Sequence, residues 1–442
     1  MASSLPPEQT FHTAGSSEGA KEEGNGGVDR SADWLHRWQL PTFAPLRWIG
    51  GHGHTLLPPR HLESSALRSG GQLQPGVSAM AYGSGRLARD RPRETFRSAE
   101  AESAELVRHL FSETAVHRLP LPDGDAIYLH EDPPLPRGLE TQDAAWRERG
   151  SAAGSVLLLH GLCGCHAASY MLRFAARLRS IGIRTFRADM RGCGRAAREA
   201  VSITHAGRSD DVVAAIDWIA RRRPAAVGGS AAVGRDESPI GVIGVSLGGN
   251  QVLRAIGRIG ARVDPLPRWW SRLGPVLAIA PPIDLAACST RLEHWSLRPY
   301  NRYFIQRLLR RIPSSLADDP VIRHVLARRW PKTLRQFDRS VTAPLAGFRD
   351  EEDYYHQSSA VRWLGSIDRP TLIVAAKDDP LVPATSFEAV AGRWSDCCRV
   401  SLQPTGGHIG FLQAGRRAWT DDLAEQMFAT AWSGSPFVQR IR

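Results

Sequence analysis

Lysine is almost missing from this 442-residue chain, standing only at positions 21, 332 and 377. Its formal net charge of +11 is therefore nearly all arginine. That arginine is spread along the chain, and no recognised nucleic-acid module stands beside it. Binding to nucleic acid rests on charge alone as a reading, and no nucleic-acid partner is expected. Long apolar runs are also absent. None reaches the length of a membrane span, and the N-terminus has no signal-peptide core. Cysteine is scarce. Cys163, Cys165, Cys193, Cys288, Cys397 and Cys398 follow no regular framework, so they read as reduced thiols of a cytoplasmic protein. A hydrophobic fraction of 42% suits a soluble globular chain. The length suits one large α/β domain with additions, or two smaller domains.

Residues 1–33, rich in Ser, Gly, Glu and Ala, bury too little to offset ordering and read as a disordered tail. Residues 34–104 form an N-terminal extension that opens with Trp34, Leu35, Trp38 and Phe43. Its His52 and His54 read as structural histidines, since no third metal ligand is near. From residue 105 the pattern becomes regular. Val116–Leu121 and Ala126–His130 flank an Asp-Gly turn, a hairpin signal. Val156–Leu159 is a continuous apolar run, expected of a strand buried on both faces. Further strands are predicted at Ile183–Ala188, Ile240–Val245, Val276–Ala280, Thr371–Ala375 and Arg399–Leu402. Helical spacing lies between at Tyr170–Arg179, Asp210–Arg223 and Leu247–Ile256, and again at Trp419–Trp432. Such alternation means a mostly parallel sheet covered by helices on both faces. Ala225–Ser238 is Gly/Ala/Ser-rich and reads as a flexible insertion.

The strand rhythm stops between Ala280 and Thr371. An arginine-heavy helical stretch fills that interval, with Arg298, Arg302, Arg307, Arg310 and Arg311 set against an apolar face of Phe304, Ile305, Leu308, Leu309 and Ile312. It reads either as a solvated surface helix or as a cap whose basic face meets anionic lipid. The layout is then a core at 105–290, a helical cap at 291–365, and a second core segment at 366–442.

Chemistry gathers at the predicted strand ends. Gly244-Val245-Ser246-Leu247-Gly248 has the pattern G-x-S-x-G, placed between a β-branched run and a helix. That is the context of a nucleophile elbow. Serine is a weak nucleophile, so it needs a base and a group to orient that base. His408, in Gly406-Gly407-His408, follows the last strand and supplies the base. Asp378 and Asp379 follow the strand before it. Asp379, with Pro380 next, is the expected acid, and Asp378 a loop-stabilising acceptor. The order Ser, Asp, His is that of an α/β-hydrolase. The backbone N–H groups of Leu162, in His160-Gly161-Leu162-Cys163-Gly164, and of Leu247 are the expected oxyanion donors. Cys163, Cys165 and His166 match no standard zinc spacing. No metal and no organic cofactor is expected.

These motifs together resemble the YheT-like branch of the α/β-hydrolases, which includes animal carboxylesterases and lipases. Gly50-Gly51-His52-Gly53-His54-Thr55-Leu56 is similar to its N-terminal signature, with Gly50, Gly53 and His54 replacing the family's Asn, Leu and Gln. Arg191-Gly192-Cys193, Val245-Ser246-Leu247-Gly248-Gly249-Asn250, Phe337-Asp338, Thr342-Ala343-Pro344 and Asp353-Tyr354-Tyr355 are similar to further signatures. The resemblance runs from about Phe43 to the C-terminus. It implies the α/β-hydrolase fold and hydrolysis of short acyl esters or acylglycerols through an acyl-enzyme. Two alternatives share the fold: an acyltransferase using the same triad, and a non-catalytic binding protein.

Overall fold

The computed structural model describes residues 111–135, 154–222, 238–327, 330–412 and 418–432. The N-terminal tail, the extension with His52 and His54, and nearly all of the Gly/Ala/Ser-rich insertion lie outside those residues.

Eight strands form one sheet: β1 (Ala115–Pro120), β2 (Ala126–Asp132), β3 (Ser155–Leu159), β4 (Arg184–Asp189), β5 (Ile240–Val245), β6 (Leu273–Ile279), β7 (Thr371–Ala376) and β8 (Cys398–Gln403). Their spatial order is β1-β2-β4-β3-β5-β6-β7-β8. β1 and β2 make the expected hairpin, turning at Gly124 with φ +87°. β2 is antiparallel to β4, and from β4 to β8 every pairing is parallel. β6 begins at Leu273, three residues before its expected start. The Gly274-Pro275 pair hid that start, because proline breaks a strand pattern read from sequence.

The central parallel strands β3, β5 and β7 are almost wholly apolar and buried because both faces are covered. Leu157 and Leu159 of β3 face one core with Ile240 and Val242 of β5. Val156 and Leu158 face the other with Ile243 and Val245. The first core packs under helices α2 (Ser209–Ala220) and α3 (Leu247–Gly260), through Val212, Ile216, Val252 and Ile256. The second is covered by α1 (Ser169–Ser180) through Met171 and Phe174, and by the C-terminal helix through Trp419, Met427 and Phe428. Each fully buried Leu, Ile, Val or Phe contributes roughly 1.5–3 kcal/mol, so the alternation sets the register of every strand.

Between β6 and β7 the chain is helical. It runs through α4 (Leu285–Leu292), α5 (Arg298–Leu309), α6 (Pro320–Ala327), a π-helical turn at Asp338–Thr342 and α7 (Glu351–Ser358). After β7 and β8 comes α8 (Trp419–Trp432). The insert has a small core of its own, built from Ile305, Ile322, Val325, Phe337 and Val341, against which Leu308, Leu309 and Ile312 pack. It is also latched to α3. Asn250, fully buried, donates to Ser358 O at 2.9 Å and accepts from Ala360 N at 2.9 Å. Among the described residues no helix is long and apolar enough to cross a membrane.

Candidate active site

The connection from β3 leads to β4 on one flank, and the connection from β5 leads to β6 on the other. The loops after β3 and β5 therefore diverge and open a crevice at the carboxyl edge of the sheet. Ser246 stands there, between β5 and α3, with φ +52° and ψ −118°. A non-glycine residue holds such a conformation only when its surroundings over-determine it. Here the Ser246 N–H donates to Ile279 O at 2.8 Å. The flanking glycines are imposed by contact. A Cβ on Gly244 would meet Gly248 O at 2.7 Å, and one on Gly248 would meet His160 O and Leu159 O at 2.8 Å.

His408 lies after β8. Its Nε2 is 2.8 Å from Ser246 Oγ and its Nδ1 is 2.8 Å from Asp379 Oδ2. The Asp379 carboxylate is buried, and its other oxygen accepts from the N–H groups of Leu381 at 2.8 Å and Val382 at 3.0 Å. That fixes the carboxylate plane, which assigns the proton to Nδ1 and leaves Nε2 free to accept from the serine. Asp378 is exposed and points elsewhere, accepting from Gly407 N at 2.8 Å. Asp379, not Asp378, is thus the residue that touches the imidazole.

The turn after β3 passes close over the serine. A Cβ on Gly161 would stand 3.1 Å from Ser246 Cβ. His160 locks this turn. Burial pushes its pKa down to about 4, so it stays neutral, with Nδ1 2.8 Å from Gly161 O and Nε2 accepting from Met190 N at 3.3 Å. The Gly161 N–H donates to the buried Tyr170 hydroxyl at 2.9 Å, and Cys163 takes φ +60°. Among the described residues neither Leu162 N–H nor Leu247 N–H has an acceptor. Leu247 is the first residue of α3, where the helix dipole favours negative charge. The side chains of Leu162 and Leu247 join an apolar wall with Leu285, Ala343, Tyr354 and Phe348, so the insert packs against the two residues that flank the serine.

One residue that the sequence pattern placed among solvated arginines lies elsewhere. Arg311 is part-buried against the turn after β3, donating to Cys163 O at 2.8 Å and to Gly164 O at 3.0 Å. The apolar residues around it in sequence gave no sign of this, because its acceptors come from far away in the chain.

Cys163, Cys165 and His166 do not gather. The ligand-type side chains that come together among the described residues are His130, His166 and Asp189. Both rings aim at the buried carboxylate, His130 Nε2 at 3.0 Å and His166 Nδ1 at 2.8 Å. They stack at 3.5 Å with 11° between planes. Lone pairs in two parallel planes do not converge on one ion, so this is a hydrogen-bonded clamp. The His166 and Arg195 N–H groups also donate to Asp189, at 2.7 and 2.9 Å. These donors outweigh the cost of burial and hold the carboxyl far below its usual range. Burial lowers His130 in spite of its carboxylate partner. A neutral His130 is the sensible state, because two stacked imidazolium rings would repel. A cleft of about 500 Å³ lined by Asp284, Arg349, Glu352, Asp353 and His356 contains no residue of the serine cluster. Its mixed charges carry no comparable chemistry, and the crevice at Ser246 is the better site.

Fold and site together define an α/β hydrolase. Residues 154–414 match the model of the alpha/beta hydrolase fold family, and the chain belongs to that family. Its relatives include the candidate esterase YheT of Escherichia coli, 29% identical over 302 residues that cover 67% of this chain and 78% of that protein. Phospholipase ABHD3 of Mus musculus is 25% identical over 280 residues, 62% of each chain. The medium-chain fatty acid ethyl ester synthase/esterase 2 of Saccharomyces cerevisiae is 23% identical over 299 residues, 62% of this chain and 61% of that one. This chain spans less than two thirds of the length of the last two.

Proposed function

We propose that this protein is a carboxylic ester hydrolase working through an acyl-enzyme. The reading is carried by the unbroken line Asp379–His408–Ser246, with both hydrogen bonds at 2.8 Å. Ser246 Oγ attacks the acyl carbon while His408 Nε2 takes its proton. Asp379 stabilises the imidazolium, and the N–H groups of Leu162 and Leu247 receive the oxyanion. Collapse expels the alcohol, which leaves with the proton from His408. Water then repeats the sequence on the acyl-enzyme and releases the acid. The apolar wall favours an acyl chain, and the relatives named for phospholipid and fatty ester chemistry support short acyl esters or acylglycerols as substrates. Six free thiols suit a reducing, cytoplasmic compartment.

The test is labelling by a fluorophosphonate, wild type against Ser246→Ala, followed by hydrolysis of p-nitrophenyl esters of increasing chain length. Labelling that survives in the variant would sink the mechanism. Acyl transfer to an alcohol is the second reading, favoured by the relative named both synthase and esterase. Products formed with added ethanol separate the two.

A contact with anionic lipid also belongs to the proposal. Arg298 and Arg302 of α5 and Arg310 just past its end form one exposed stripe, and among the described residues none has an ion-pair partner. Trp295, 68% exposed, continues the stripe one turn before the helix. An aromatic beside unpaired arginines suits a membrane interface.

A further inference from the structure

We infer that Arg311 is a positioning residue for the oxyanion turn, so that the helical insert governs turnover. The inference rests on the ester-hydrolase reading. Arg311 lies just beyond α5 and sends its guanidinium across to the sheet edge. Nη2 donates to Cys163 O at 2.8 Å, while Nη1 donates to Gly164 O and Cys193 Sγ, both at 3.0 Å. One side chain therefore ties the insert to two loops, the turn after β3 and the loop after β4. Its backbone closes on the second loop as well, since Arg311 O would lie 3.7 Å from a Cβ on Gly192.

Two features of Arg311 bear on this role. First, no carboxylate pairs with it among the described residues. A cation partly withdrawn from water with only neutral acceptors is costly. Its uncompensated charge stands beside the turn on which an oxyanion would develop, so negative charge in the transition state improves its environment. Second, its acceptors are the carbonyls immediately after Leu162. Cys163 is held at φ +60°, and a turn in that conformation relaxes unless the peptides that follow are restrained. A planar fork with two separate Nη groups holds both carbonyls at a set angle. An ammonium, a single point of charge, cannot do so.

The experiment uses the full chain with Arg311→Met and Arg311→Lys. It measures kcat and KM on a p-nitrophenyl ester, inhibition by a trifluoromethyl ketone that forms a tetrahedral oxyanion, and the thermal midpoint. The expected result for Arg311→Met is a fall in kcat of about 10- to 100-fold, less than outright loss of an oxyanion donor. KM changes little, and trifluoromethyl ketone affinity falls by the same factor as kcat/KM. Arg311→Lys, which keeps the charge and the fold, recovers only part of the loss. Unchanged ketone affinity, a kcat that tracks only the folded fraction, or full recovery by lysine would each overturn the inference. A wild type that neither hydrolyses esters nor reacts with the fluorophosphonate overturns the hydrolase reading itself. An active wild type with an equally active Arg311→Met overturns the positioning role alone.

Discussion

At the scale of residues, the site depends on a few atoms whose removal disturbs little packing. Ser246→Ala deletes one hydroxyl from a turn held by Gly244 and Gly248. Ester hydrolysis should fall by about 10⁴-fold or more with an unchanged thermal midpoint. The two neighbouring aspartates should separate sharply. Asp379→Asn leaves the carboxamide against the imidazole in place of the carboxylate and favours the wrong tautomer, with a loss on the order of 10⁴ in kcat. Asp378→Asn keeps an acceptor for Gly407 N in an exposed loop and should cost less than about tenfold. A steady-state comparison of the two variants checks this, and the reverse ranking would move the acid by one residue.

At the scale of elements, α3 does two jobs. Its first residue offers an N–H at the serine, and its Asn250 latches the end of α7. Asn250→Ala strands Ser358 O and Ala360 N in a buried place, which predicts a loss of about 2–3 kcal/mol in denaturant unfolding. The hydrolytic rate per folded molecule should fall too, because the apolar wall from α7 would lose its seat. Along α5 and just past its end, reversing the exposed stripe with Arg298→Glu, Arg302→Glu and Arg310→Glu should abolish co-sedimentation with phosphatidylserine vesicles, each arginine being worth roughly 1 kcal/mol at such a surface. Hydrolysis of a water-soluble ester should stay as in wild type. Equal vesicle binding by the triple variant would remove the lipid surface from the proposal.

At the scale of the whole molecule, two buried carboxyls pull folding stability in opposite directions with pH. Asp338, in the π-helical turn, is pushed up to about 7 by burial, although Thr342 and Tyr355 donate to it at 2.7 and 2.9 Å. The unfolded chain releases this proton near the ordinary aspartate value of 3.8. Between those values only the unfolded state is ionised, so Asp338 makes stability fall as pH rises from about 4 to about 7. Asp189, held down by its clamp, does the reverse. Its contribution is present above about pH 4 and is lost below. Asp338→Asn should flatten the decline between pH 4 and 7 in thermal melts while leaving the acid limb in place. A slope that persists in the variant would assign the effect to another group.

Much of this protein is legible in its sequence because the signals are local. Period-two burial and apolar runs mark the strands, and glycine spacing marks the elbow, since Gly244 and Gly248 must touch whatever the rest of the chain does. The order of Ser246, Asp379 and His408 follows from the strands that precede them. The start of β6 was hidden by Gly274-Pro275, where local propensity and sheet pairing disagree. Other features were decided only in three dimensions. The reversal at β3, the stacked His130 and His166 on Asp189, the Asn250 latch and the withdrawal of Arg311 from solvent each join residues far apart in the chain. Such contacts leave no periodicity behind. Arg311 occupies a position that helical spacing assigns to solvent, and it turns inward because the turn after β3 presents two carbonyls to it and the loop after β4 a thiol.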